Sequence, residues 1–353
     1  MALAFGSARE LLPAGSETSA REAWLELRRR GVTASEIASV LGISAQPSRF
    51  ALWWQKKGVL DDEYDNTRMA LGRFLEPFVC DQFALSCPEY TVLRCGLSAS
   101  AQRPWQLATF DRVAVPAGHD EHQHVVPAEA KTWSYVDDQW GPDGSDIIPL
   151  HYRCQVMWQM DVLGADYGYV ICLFLLTQEI RTYCIAYDAD DAEVMRSAAQ
   201  EFLLSLERNI EPDIDGSAST AHALKSIYSD LDEDDAQLPR SLVIRYRSAL
   251  RRYDAARSRK ELLTNQMRAA LGRSRRGVDA RTGERVVTRS IYQRKAYTVE
   301  RATVDQLTPV RPRKAAQAML HTETSEQAAK VKAEAMRDTE PKAITETRDP
   351  AAS

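Results

Sequence analysis

The stretch of residues 107–132, LATFDRVAVPAGHDEHQHVVPAEAKT, constrains the fold more than any other part of the chain. Two β-prone runs are separated by a polar loop that contains glycine, a pattern that predicts a hairpin connection. Asp111 ends the first run, and Glu129 and Lys131 lie in the second. Because alternate residues of a strand share a face, Glu129 and Lys131 should project together, while Ala130 offers its backbone carbonyl.

If the two runs pair, Asp111 reaches the same point as Glu129. Two carboxylates, a carbonyl and an ammonium form a hard oxygen site for Mg²⁺, for which Mn²⁺ can substitute. The ammonium would act on a phosphate or on an attacking water. The simpler alternative is an ion pair between Glu129 and Lys131 on a solvated strand, because short E-x-K matches are common.

Other segments connect this pattern to a known family. The separated D…E-x-K resembles the signature of PD-(D/E)XK nucleases, and its flanks resemble the YqaJ-like viral recombinase and lambda-exonuclease family. The segments that carry the resemblance follow the family's order and are WLELRRRGVTASEIASVL (24–41), FALWWQKKG (50–58), LGRFLEPF (71–78), residues 109–111, residues 129–131 and YRCQVMWQM (152–160). The family's Pro-Asp-Gly is replaced by Phe110-Asp111-Arg112, which keeps the carboxylate.

The resemblance implies an α/β fold, with a restriction-endonuclease-like mixed sheet flanked by helices and a C-terminal helical and β-hairpin extension. It implies a Mg²⁺-dependent 5′→3′ exonuclease that acts on double-stranded DNA ends and leaves 3′ single strands for phage-type recombination. The metal ligands that it implies are Asp111, Glu129, the Ala130 carbonyl and Glu76, the last directly or through water. Lys131 would orient the water or stabilise the developing oxyanion, and Gln155 would position Lys131 or the substrate.

The resemblance also implies a pocket for the terminal 5′-phosphate, formed by Arg28, Ser35 and Thr109. Residues 33–36 match a capping box, which predicts a short helix whose N-terminus suits a phosphate. The alternative leaves Arg28 on a helix surface and Ser35 as part of the cap. A single-strand annealing protein and a ring-shaped homo-oligomer, such as a trimer, are implied by resemblance alone.

Two other functions remain open. One is an endonuclease that uses the same residues, and the other is a catalytically inert module that binds DNA ends. The net charge of −5 does not oppose a DNA partner, because residues 239–276 contain twelve Arg and Lys against two acidic residues. This basic helix should bind DNA or a partner, unless it is a solvated oligomerisation helix.

The remaining predictions concern organisation. We expect a flexible N-terminus (1–17), a nuclease core (18–212), an extension with a basic helix and a strand pair at 283–304 (213–308), and a disordered tail (309–353). The histidine-containing loop 119–124 lacks the spacing of a zinc site and should be solvated. No apolar run is long enough to span a membrane, and the N-terminus does not resemble a signal peptide. The expected location is therefore the cytoplasm, that of the host if a phage encodes the chain.

Overall fold

The chain divides into two compact units between Leu231 and Asp232. The computed structural model describes residues 4–44, 47–61, 67–120, 124–230 and 234–293. The strands of the first unit are β1 (Ala4–Phe5), β2 (Ala8–Leu12), β3 (Val32–Thr33), β4 (Tyr90–Leu93), β5 (Leu97–Ser100), β6 (Gln106–Ala108), β7 (Arg112–Pro116), β8 (Val126–Trp133), β9 (Tyr167–Phe174) and β10 (Glu179–Ala186). Its helices are α1 (Ser16–Ser19), α2 (Arg21–Arg29), α3 (Ile37–Val40), α4 (Arg49–Lys56), α5 (Thr67–Ser86), α6 (Leu150–Leu163), α7 (Ala189–Glu207) and α8 (Ala218–Ile227).

The strands form two five-stranded sheets, one in the order β1-β2-β5-β6-β3 and the other in the order β10-β9-β8-β7-β4. Both sheets are mixed. In the first sheet β3 pairs with β6 in parallel, and in the second β8 pairs with β9 in parallel, whereas the other pairs are antiparallel. Helices flank these sheets, which confirms the predicted α/β class.

Helix α6 packs against both sheets. Pro149 precedes its first turn, where a missing N–H costs nothing, and Gly164 ends it at a φ of 72°. Nine of its residues are buried, and the helix packs against strands of both sheets. Trp158 lies fully inside and donates from Nε1 to the carbonyl of Leu107 in β6 at 3.1 Å. The two sheets therefore share one core, with α6 between β6 and β8.

Both ends of the first unit differ from the predicted boundaries. Ala4–Leu12 was expected to be flexible, but it forms β1 and β2, and Ala8 pairs with Ser100 of β5. The unit also continues past residue 212, because the Ser48 hydroxyl lies 2.7 Å from that of Thr220 in α8. Side chains of α8 pack against α4 at this contact, so α8 belongs to the first unit.

The second unit contains α9 (Arg240–Leu271), β11 (Arg276–Val278) and β12 (Arg285–Thr288). The predicted basic helix is therefore confirmed. The strand pair lies earlier than predicted, because β12 pairs with the preceding strand β11. Residues 294–304 of that prediction, and the tail at 309–353, lie outside the described residues. Within the described ranges, no helix has the length and apolar content needed to cross a membrane.

Candidate active site

The hairpin of β7 and β8 brings the predicted carboxylates together. Arg112 pairs with Ala128, so Asp111 lies opposite Glu129 at the start of β7. The backbone N–H of Ala130 donates to Asp111 Oδ2 at 2.8 Å. Asp111 therefore precedes the hairpin strand instead of ending the first run, because residues 106–108 form β6 in the other sheet. Its carboxylate nevertheless reaches the predicted point.

Glu129 is the most heavily hydrogen-bonded member of the site, and only 4% of it is exposed. Its Oε1 accepts hydrogen bonds from Lys131 Nζ and Gln155 Nε2, and its Oε2 accepts one from Gln159 Nε2 at 2.7 Å. Lys131 thus shares the face of Glu129, as the strand alternation predicts. The contact with Gln155 agrees with its predicted place in the site.

Glu76 reaches the site from α5. Its carboxylate lies 3.4 Å from the guanidinium of Arg112, the residue that follows Asp111. Glu76, Asp111 and Glu129 line one cleft of about 340 Å³. The other residues that line it are Arg68, Met69, Gly72, Val79, Ala130, Lys131, Thr132 and Tyr152.

The pKa values of two carboxyl groups of the site, Asp111 and Glu76, are raised. Burial raises the pKa of Asp111 well above its ordinary value, and Glu129 raises it further, although Lys131 opposes this. Burial also raises the pKa of Glu76, against the effect of Arg112. Burial lowers the pKa of Lys131, but Glu129 and Asp111 outweigh it and raise the pKa, so Lys131 remains an ammonium at neutral pH. A bound cation stabilises the ionised form of crowded carboxylates of this kind, because it offsets their mutual repulsion.

The donor set suits a hard divalent cation. Glu129 accepts three hydrogen bonds, and a carboxylate has about four lone-pair positions, so about one remains for a metal. The N–H and C=O of a strand residue point to the same edge, so the Ala130 carbonyl faces Asp111. In the described ranges no three His, Cys, Asp or Glu side chains form a metal-ligand set. Asp111 and Glu129 supply two side-chain ligands, and the third proposed ligand is the backbone carbonyl of Ala130. All three ligands are oxygen atoms, which Mg²⁺ prefers.

The three residues of the predicted phosphate pocket do not hydrogen-bond to one another in the described part of the chain. Arg28 donates to Glu36 at 2.9 Å and lies over the Trp24 ring. The Ser35 hydroxyl is 3.2 Å from that of Thr33. The Thr109 hydroxyl is buried without a hydrogen-bond partner.

The parallel pairing of β3 with β6 nevertheless places two of these residues at one sheet edge. Thr33 pairs with Leu107, so Ser35 and Thr109 each follow that pair by two residues. The Thr109 carbonyl accepts a hydrogen bond from Gln159, which also binds Glu129. A single residue, Gln159, therefore joins this sheet edge to the carboxylate site by hydrogen bonds.

Residues 23–166 match the family model of the YqaJ-like viral recombinase domain. The chain contains a YqaJ-like viral recombinase domain. The family resemblance found in the sequence is thereby confirmed for residues 23–166, and the match supports an enzyme of the nuclease class. The YqaJ protein of Bacillus subtilis (strain 168) is 26% identical to this chain over 231 residues, which cover 64% of this chain and 69% of that protein.

Two solved proteins are also similar to a part of this chain. The alkaline exonuclease LHK-Exo of Laribacter hongkongensis is 18% identical and covers 54% of this chain and 94% of its own, with a TM-score of 0.41. Its complex with dAMP has the same identity and coverage, with a TM-score of 0.42. SSO0001 is 12% identical and covers 53% of this chain and 87% of its own, with a TM-score of 0.32.

Sequence reasoning missed two contacts in the YqaJ-like domain. Gln159 shares a helix face with Gln155, four residues earlier, and that spacing is the signal that could have added it to the site. Arg112 carried no such signal. Its pairing with Glu76 joins a strand to a helix 36 residues earlier, a contact that only folding creates.

Proposed function

We propose that this nuclease is a Mg²⁺-dependent exonuclease that degrades the 5′-terminated strand of duplex DNA and leaves 3′ single strands. The observation that carries the proposal is the convergence of Asp111, Glu129 and Glu76 on one cleft with the Lys131 ammonium. A site of this composition can bind a hard cation beside a phosphodiester.

The residues of the cleft divide the work. Asp111, Glu129 and the Ala130 carbonyl would hold Mg²⁺, with Glu76 direct or through water. When bound, Mg²⁺ supplies an activated water and neutralises charge on the scissile phosphate. Lys131 remains protonated, so it acts as a donor that orients the water or stabilises the developing oxyanion, and not as a base.

Two glutamines support this arrangement from α6. Gln155 and Gln159 donate to opposite oxygens of Glu129 and hold its carboxylate plane in one orientation. Residues that hydrogen-bond to metal ligands tune both geometry and affinity. Because both amides lie on a rigid buried helix, the orientation of Glu129 is set before metal or DNA arrives.

The polarity of degradation rests on Arg28, Ser35 and Thr109. Ser35 and Thr109 lie at one sheet edge, and Thr109 is linked through Gln159 to Glu129. A terminal phosphate bound there would place the first phosphodiester near the cleft. Arg28 would have to share its guanidinium between Glu36 and that phosphate, which a forked donor allows.

Internally labelled duplex DNA tests the proposal. Linear and closed circular duplexes are incubated with the enzyme and Mg²⁺, and the products are followed over time. Nucleotides released from linear DNA alone support the exonuclease. Discrete fragments from circles indicate an endonuclease, and binding without any cleavage indicates an inert end-binding module.

The same assay tests polarity when the ends carry 5′-phosphate or 5′-hydroxyl. We expect 5′-phosphorylated ends to be degraded faster, and Arg28→Ala to remove most of that difference. Equal rates for both ends in the wild-type enzyme would reject the phosphate pocket. An annealing protein that receives the single strands, and a ring-shaped oligomer that encloses DNA, would complete the proposed recombination function.

A further inference from the structure

Helix α9 carries an apolar seam that spans almost its whole length. Its positions are spaced alternately by four and three residues, which is the repeat of a coiled coil. They are Leu242, Tyr246, Ala249, Tyr253, Ala256, Lys260, Leu263, Met267 and Ala270. The helix has no buried residue, and the large apolar side chains of the seam are 40–65% exposed. In the described part of the second unit, the seam lacks the partner that its pattern requires.

One flank of the seam is basic. Arg245, Arg252 and Arg259 recur every seven residues immediately before Tyr246, Tyr253 and Lys260, which is the position that faces the flank of a partner helix. The helix as a whole contains nine Arg and Lys against two acidic residues. These cations favour a partner with carboxylates at the flanking positions.

The C-terminal half of the seam continues into a groove of about 730 Å³ between α9 and the strand β12. Leu263, Met267 and Val287 supply apolar surface there, and Arg259, Arg268 and Arg289 are the arginines that line it. No described residue that lines this groove is acidic. Its chemistry repeats that of the seam, with apolar contacts beside cations.

A second copy of the chain fits this surface poorly. In a parallel pair, Lys260 would face its own copy inside the seam, and Arg252 would face Arg257 of the partner helix. In an antiparallel pair, the rows of Arg245, Arg252 and Arg259 would face each other. Either arrangement places like charges together, which opposes association.

DNA would match the charged residues of this surface but not the apolar ones. Phosphates would neutralise the arginines, but they offer no apolar surface to cover Tyr246, Tyr253 and Leu263. We propose that the α9 seam docks an acidic amphipathic helix of another protein, with apolar residues at the three-and-four spacing and carboxylates on its flanks. This inference does not depend on the nuclease proposal, because it uses no residue of the catalytic cleft.

The probe is a synthetic 28-residue helix with Leu at the seam positions and Glu at the flanking positions. Its control has Lys at the flanks. Fluorescence anisotropy with the full-length chain should show that the Glu peptide binds about tenfold or more tightly than the Lys peptide. Equal affinities would overturn the proposal.

Two matched double variants locate the contact. Arg245→Glu with Arg252→Glu reverses the seam flank, whereas Arg247→Glu with Arg251→Glu makes the same charge change on the outer face of the helix. We expect the flank variant to lose about tenfold or more in affinity for the Glu peptide, and the outer variant to change it by about twofold at most. Equal losses would show nonspecific charge attraction and reject the docking surface. Circular dichroism of both variants checks that the helix is retained.

Leu263→Asp separates the competing occupants, because it places a charge inside the seam. The proposal expects this variant to lose the Glu peptide while keeping the wild-type sedimentation coefficient and duplex-DNA affinity. If the wild-type chain self-associates and the Leu263→Asp variant does not, a second copy occupies the seam. If it abolishes duplex binding, DNA occupies it. Either of the last two results overturns the proposal.

Discussion

Glu36 offers a quantitative test of how the region around Arg28 is held together. Its carboxylate is buried and accepts hydrogen bonds from Lys56 Nζ at 2.6 Å, Arg28 at 2.9 Å and the Thr33 N–H at 2.9 Å. The Lys56 side chain is only 3% exposed. Replacing Glu36 by Gln would therefore leave a buried ammonium without its carboxylate.

Two arguments give the expected loss of stability, one from the pKa of Glu36 and one from measured buried ion pairs. Burial raises the pKa of Glu36, but Lys56 and Arg28 outweigh it and lower the pKa from 4.5 to about 2. That lowering corresponds to about 3 kcal/mol of stability. Breaking a buried ion pair by removing one partner costs about 3–5 kcal/mol in measured cases. We therefore expect Glu36→Gln to lower the free energy of unfolding by about 3 kcal/mol at pH 7.

The pH dependence follows from the sign of the shift. Because the folded-state pKa is depressed, the stabilisation is complete above the unfolded-state pKa, near 4.5, and is lost as the pH falls from there toward 2. Urea unfolding followed by circular dichroism at pH 7 and pH 3 measures both effects. The difference between wild type and Glu36→Gln should shrink at pH 3.

A surface ion pair provides the control. Glu26 pairs with Arg30 at 2.9 Å, but both side chains are more than half exposed, so Glu26→Gln should cost less than about 1 kcal/mol. Combining Glu36→Leu with Lys56→Met should recover most of the loss, because it removes both buried charges. A Glu36→Gln variant as stable as Glu26→Gln at pH 7 would refute the reasoning.

Three further predictions concern the cleft. Asp111→Asn should reduce Mg²⁺-dependent cleavage by roughly a thousandfold, yet raise the metal-free melting temperature, because it removes a buried charge beside Glu129; unchanged cleavage in a gel assay would contradict the site. Lys131→Arg should not restore the activity that Lys131→Ala loses, since a planar fork cannot replace a compact ammonium; full activity would make Lys131 a phosphate anchor. Gln159→Met should raise the Mg²⁺ concentration for half-maximal activity by about 10–100-fold, and a fall in the saturating rate alone would show that Gln159 does not act through Glu129.

Local sequence signals accounted for much of the fold. Pro149 marks the start of α6 and Gly164 marks its end. The strand alternation places Glu129 and Lys131 on one face. Both effects act within a few residues of the chain. The boundaries at the N-terminus and at residue 212 were wrong for a different reason. β2 and α8 have weak local patterns, and they are ordered by pairing with β5 and packing on α4, which lie far away in sequence.

The chemistry of the site divides in the same way. Residue types and spacing were enough to propose Asp111, Glu129 and Lys131, because a hard cation requires oxygen ligands and a hairpin can bring two short runs together. The contact of Arg112 with Glu76, and that of Gln159 with the Thr109 carbonyl, could not be read from the chain. They depend on where α5 and α6 pack against the sheets. That packing minimises exposed apolar surface over the whole unit, so no single segment encodes it.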